Sequence, residues 1–175
     1  MSSETVFQTE WFTIIKQPYN AGSKWAEAPF YIMKVPESAG VLATTAEDEI
    51  IMVKQFRPAI NDYTLELPSG SIEPSETPEL AAARELYEET GYRCDQLRLL
   101  SEGQTMTNRT DARYFTFLGL KAALDPAFQP SEDIEVVLLS PQELRLLGTS
   151  GQFRQHSVLG QLVLADWKYG THLTQ

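Results

Sequence analysis

The stretch RELYEETGY, residues 84–92, places Glu85, Glu88 and Glu89 within little more than one helical turn. Like charges three and four residues apart on a helix repel by roughly a few tenths of a kcal/mol per pair. A face that needed only solvation would alternate those glutamates with lysines. The helix that carries them is also the best-specified element of the chain. Thr77 suits the N-cap, Pro78 the first helical position, and Glu79 the positive end of the dipole. Gly91 is the natural stop. At about 100° per residue, Leu80, Ala83, Leu86, Tyr87 and Thr90 are expected to form the core-facing stripe. Arg84 and the three glutamates then fall on the opposite arc. Oxygen-only ligands of high charge density suit Mg²⁺ or Mn²⁺ rather than zinc. The two histidines, His156 and His172, lie near the C-terminus and offer no competing ligand cluster.

Around this helix the pattern alternates between strands and a few helices. VFQTEWFTIIKQPY and PFYIMKVP read as strands, with turn chemistry in NAGSKWAEA between them. GVLATTAEDEIIMVKQF reads as a hairpin connected by residues 46–49, and YTLELPSG as a short strand ending in a loop. RYFTFLGL and DIEVVLL are further strands, separated by the loop KAALDPAFQPSE. PQELRLL and HSVLGQLVLADWKY read as helices. The implied class is α+β, in a single domain over residues 1–175 with an N-terminal β region over residues 1–38.

The chain's 175 residues carry 14 basic and 24 acidic side chains, a formal net charge of −10. That balance argues against a nucleic-acid surface, which needs a clustered basic patch. Phosphate chemistry stays open, because a divalent metal reverses the local sign. Cys94 is the single cysteine, so no internal disulfide forms. With no signal-peptide pattern and no apolar run of membrane-spanning length, the expected setting is cytoplasmic, with no membrane partner.

The run from Gly70 to Tyr92, GSIEPSETPELAAARELYEETGY, resembles the Nudix box, G-x5-E-x7-R-E-U-x-E-E-x-G-U, where U is bulky and apolar. Gly70, Glu76, Arg84, Glu85, Leu86, Glu88, Glu89 and Gly91 match at the required spacing, and Tyr92 in the last U slot is the single departure. Seven fixed identities match by chance in about one of 10⁸ starting positions. The resemblance implies a Nudix fold, a mixed β-sheet sandwiched between helices with an N-terminal antiparallel extension. It also implies hydrolysis of a nucleoside diphosphate linked to another group. Glu85 and Glu89 would be the principal Mg²⁺ (or Mn²⁺) ligands, with Glu88 and the Ser69 carbonyl as further ones. Glu85 would thereby serve catalysis, and Arg84 would hold a carboxylate in orientation.

VKQFRPAINDYTLELPSG, residues 53–70, resembles the segment preceding the box in ADP-ribose and ADP-sugar pyrophosphatases. By that likeness Arg57 would touch the substrate phosphates through bidentate hydrogen bonds, the alternative being a strand-end salt bridge. PSEDIEV resembles an acidic loop in which Glu132, with Asp133 as a substitute, adds a carboxylate to the metal site or acts as the base. Trp11 and Trp25 occupy places resembling the tryptophans that clamp adenine in homodimeric relatives; the alternative is packing in the core. A downstream proline common in ADP-ribose enzymes is absent, with Thr107, Asn108 and Arg109 in that region. The leading expectation, despite that departure, is conversion of ADP-ribose to AMP and ribose 5-phosphate by a homodimer. The alternatives are GDP-mannose, NADH or a dinucleoside polyphosphate as substrate, or a non-catalytic module that senses ADP-ribose.

Overall fold

The computed structural model describes residues 3–19, 28–130 and 133–175. They fall into two compact units, one of residues 1–37 with 103–114, the other of residues 38–102 with 115–175.

In the first unit, β1 (Glu4–Gln8), β2 (Thr13–Pro18) and β3 (Pro29–Lys34) form an antiparallel three-stranded sheet. VFQTEWFTIIKQPY is thus a hairpin rather than a single run. Its turn carries neither Gly nor Pro; the Thr9 hydroxyl instead accepts from the amides of Trp11 (3.1 Å) and Phe12 (3.0 Å). Residues 103–114 are stitched to this unit by Met33 N donating to Arg109 O (2.8 Å) and by the Lys34–Asp111 ion pair.

The second unit is built on a seven-stranded sheet. It contains β4 (Ser38–Thr44), β5 (Ile50–Arg57), β6 (Asp62–Glu66), β7 (Ser69–Ser71), β9 (Leu97–Gly103), β10 (Tyr114–Gly119) and β12 (Ile134–Leu139). The order β12-β5-β4-β10-β9 forms its path, with β6 beside β5 and β7 beside β4. The hairpin expected around residues 46–49 is present as the antiparallel β4–β5 pair. A separate two-residue pair joins β8 (Tyr92–Arg93) to β11 (Ala123–Leu124), inside a stretch expected to be loop.

Three helices complete the unit: α1 (Pro78–Thr90), α2 (Pro141–Thr149) and α3 (His156–Tyr169). Strand alternation divides the core between them. Val41, Ala43 and Ile51 point to one face, where Ala81, Ala82 and Leu86 of α1 cover them. Leu42, Ile50 and Met52 point to the other, against Leu144 of α2 and Val158 and Leu162 of α3. Helices on both faces of the sheet are the sandwich expected from the box resemblance. Among the described residues no helix is long and apolar enough to cross a membrane.

Candidate active site

Helix α1 is capped as its sequence requires. The Thr77 side chain accepts from Leu80 N, Pro78 opens the helix, and Gly91 closes it at φ 75°. Gly91 is doubly constrained, because a Cβ there would also lie 2.4 Å from the Phe128 ring.

The buried face of α1, however, is not the expected one. Leu80 is 59% exposed, and Ala83 is exposed too. The residues turned inward are Ala81, Ala82, Leu86 and Thr90. Two consecutive alanines let the helix lie close against β4, where a leucine would hold it away. This rotation brings Glu85 and Glu89 to the margin of the buried face and leaves Glu88 as the exposed member of the three. The glutamates therefore do not share one solvated arc.

Glu85 lies against the backbone of β7. A Cβ on Gly70 would fall 2.1 Å from Glu85 Oε1, so a glycine is the residue that leaves room for this carboxylate. Glu89 Oε2 accepts from the Ser69 amide at 2.9 Å. The Ser69 backbone thus borders the carboxylates, though the contact seen is through its N–H.

Arg84 gathers the remaining acids. It donates from Nε (3.0 Å) and Nη2 (3.0 Å) to the two oxygens of Glu76, and from Nη1 to Glu85 (2.7 Å) and Glu88 (3.0 Å). Nη2 also reaches Ser71 O at 3.0 Å. These bonds hold the guanidinium firmly protonated and draw the Glu76 carboxyl below its usual range. Glu89 has no such partner: burial pushes its carboxyl up to about 7, the Ser69 amide opposes that, and Glu85 adds repulsion. Glu85 is also raised by burial, against the pull of Arg84.

Beside Glu89 stands a second pair. Arg57, at the end of β5, donates from Nε and Nη2 to Glu66, both at 2.7 Å. Glu66 is only 6% exposed, and Thr64 donates its hydroxyl to the same carboxylate. Burial raises the Glu66 carboxyl, but the bonds from Arg57 and Thr64 outweigh it and leave the group below the ordinary range. The charges of Arg57 and Glu66 are both felt by Glu89. The salt bridge considered for Arg57 exists, and it fixes the guanidinium beside the acidic cluster. Glu66 itself was not singled out by the sequence pattern; an acid in the middle of YTLEL, on the same strand face as Thr64, was the available signal.

The structure therefore brings Ser69, Gly70, Arg84, Glu85, Glu88 and Glu89 together, with Arg57 adjacent. In this side-chain arrangement, and among the described residues, no three His, Cys, Asp or Glu groups converge to hold a metal ion. Trp11, in the first unit, is 74% exposed, which overturns core packing for it. Trp25 and Glu132 lie outside the described residues.

The NUDIX domain family matches residues 34–159. This chain belongs to the Nudix family. An ADP-ribose pyrophosphatase of Bacillus subtilis (strain 168) is 42% identical to it over 87 residues, which are 50% of this chain and 47% of the relative. An ADP-sugar pyrophosphatase of Mus musculus is 57% identical over 54 residues, 30% of this chain and 25% of the relative. Both matches span less than half of the relative's own length. For the Nudix fold itself, the crystal structure of an ADP compounds hydrolase superposes with a TM-score of 0.77 at 19% identity, covering 99% of this chain and 95% of that one.

Proposed function

We propose that this Nudix protein hydrolyses the pyrophosphate bond of a nucleoside diphosphate sugar, with ADP-ribose as the foremost substrate and AMP and ribose 5-phosphate as products. The observation that carries the reading is Glu89. Its carboxyl is withdrawn from water, faces Glu85, and among the described residues forms no ion pair. A protein keeps such a group where a cation is to arrive. The names of the relatives favour ADP-linked sugars over the other substrates considered.

The donor set fits a hard divalent cation, Mg²⁺ or Mn²⁺: carboxylate oxygens of Glu85 and Glu89, with Glu88 and the Ser69 carbonyl in reserve. Such an ion, when bound, screens the diphosphate charge and lowers the pKa of bound water. Arg84, already bonded to Glu76, Glu85 and Glu88, would hold the Glu85 and Glu88 carboxylates in orientation. Arg57, braced by Glu66, directs its remaining N–H donors at the diphosphate. Glu132 is the proposed base, and Trp11 and Trp25 the proposed adenine contacts in a homodimer.

The test is a panel of ADP-ribose, GDP-mannose, NADH and a dinucleoside polyphosphate with Mg²⁺, reading nucleoside monophosphate release. AMP and ribose 5-phosphate from ADP-ribose, abolished by chelator, are expected. Chelator-resistant turnover, or cleavage at the glycosidic bond, would overturn the reading.

A further inference from the structure

Between the end of β5, β6 and the segment joining α2 to α3 lies a cavity of about 610 Å³. It is within the range of roughly 300–1,000 Å³ typical of small-molecule sites. Arg57 and Glu66 line one side; Arg154 and His156 line the other, with Ile60 as exposed apolar surface. Arg57 thus belongs to two neighbourhoods at once, since it also stands beside Glu89.

The wall is built for an anion. Glu66 takes Nε and Nη2 of Arg57, leaving both protons on Nη1 and one on Nη2 for another acceptor. Arg154 is held on one side by Asp62, Nη2 to Oδ2 at 2.6 Å, which fixes the guanidinium while leaving donors free for a ligand. His156 is the first residue of α3, and the N-cap side chain, Gln155, makes no capping hydrogen bond there. Gln155 is hydrogen-bonded to Glu66 instead. The positive end of a 14-residue helix lies beside two arginines, although the His156 and Val158 amides already donate to Arg154 O (3.1 Å) and Gln155 O (3.0 Å).

Phe153 is only 4% exposed, so the exposed aromatic ring of the lining is the imidazole of His156. The cavity is larger than a bare phosphate needs, and Ile60 offers an apolar surface for the C–H face of a sugar ring.

We propose that this cavity is the subsite for the leaving sugar phosphate, with Arg154 and His156 as its specificity-determining residues and Arg57 shared with the diphosphate. This rests on the pyrophosphatase reading for the identity of the ligand, but not for the site's ability to bind it.

The two histidines of the chain make the test direct. Imidazole resonances of the metal-free protein are followed by NMR while ribose 5-phosphate, ribose or inorganic phosphate is added at constant pH. Saturable movement of His156 with ribose 5-phosphate, a still His172 and no response to ribose are expected. Inorganic phosphate should bind at least fivefold more weakly, and Arg154→Gln should weaken ribose 5-phosphate at least fivefold with the His172 signal in place. A His156 signal indifferent to ribose 5-phosphate, or an Arg154→Gln variant that binds it like the wild type, would overturn the proposal. Equal affinity for inorganic phosphate would make the cavity a bare anion site and overturn it as a sugar-phosphate subsite. Movement of His156 in a protein that does not cleave ADP-ribose would sink the substrate reading alone; cleavage without movement would sink the subsite alone.

Discussion

Glu66 and Glu89 are both carboxylates taken out of water on the same side of the sheet, yet their environments oppose one another. Glu66 receives a two-pronged guanidinium and a hydroxyl, and its carboxyl falls below the usual range. Glu89 receives one backbone amide, and its carboxyl rises to about 7. The difference separates two uses of a buried acid. One is a finished internal brace; the other is a buried acid whose charge is relieved by a proton or by a cation.

The largest expected effect comes from neutralising that acid. Glu89→Gln should lower turnover of ADP-ribose at least about 100-fold, the scale on which loss of one electrostatic contact to a transition state is felt. Wild-type turnover across a Mg²⁺ titration would erase the distinction between the two acids.

The brace should matter to the fold more than Glu89 does. Glu66→Ala leaves Arg57 without its partner and Thr64 without its acceptor, a cost of about 2–3 kcal/mol read by urea unfolding. Because the Glu66 carboxyl is lowered by folding, its contribution is present above the unfolded value and is lost as pH falls through the folded one. A variant as stable as the wild type at pH 7 would mean that the pair is surface ornament.

Glu89 should run the other way. Its folded value is raised, so the folded protein holds a proton that the unfolded chain releases, and stability falls as pH rises from about 4.5 to about 7. Metal-free Glu89→Gln should therefore unfold about 1–2 kcal/mol harder than wild type at pH 8, with the gap closing by pH 4, a discounted fraction of the full shift because the site is partly wet. A gap that is constant with pH would locate the effect elsewhere than in this charge. The smallest effect belongs to Glu88, whose side chain is 56% exposed. Glu88→Gln should change stability by less than about 0.5 kcal/mol, and a large loss of turnover would give Glu88 a principal ligand role after all.

The ends of α1 were legible because capping is local chemistry: Thr77, Pro78 and Gly91 each answer to their own backbone. Its buried face was not. A helical wheel weighs leucine over alanine, but the sheet selected Ala81 and Ala82 for their small size and left Leu80 outside. The β1–β2 turn escaped notice for a related reason, since Thr9 does work usually given to glycine or proline. The candidate site was readable as a list of residues, because the box fixes their spacing. Its internal division was not, since Arg57 and Glu66 are nine residues apart and meet only once β5 and β6 pair. The same holds for Arg154, which reaches Asp62 across 92 residues of chain.

Ala81 and Ala82 finally carry a meaning beyond tight contact. Over the N-terminal half of α1 the buried side chains facing the sheet are two methyl groups, with Leu86 and Thr90 following further along, and the depth of Glu85 and Glu89 is measured from that axis. The alanines act as a gauge block. Thickening it by a few carbons, as Ala82→Leu would, lifts both carboxylates together away from Ser69 and Gly70 without altering a single polar atom. Tuning of the acidic cluster is in this way delegated to residues that have no chemistry of their own.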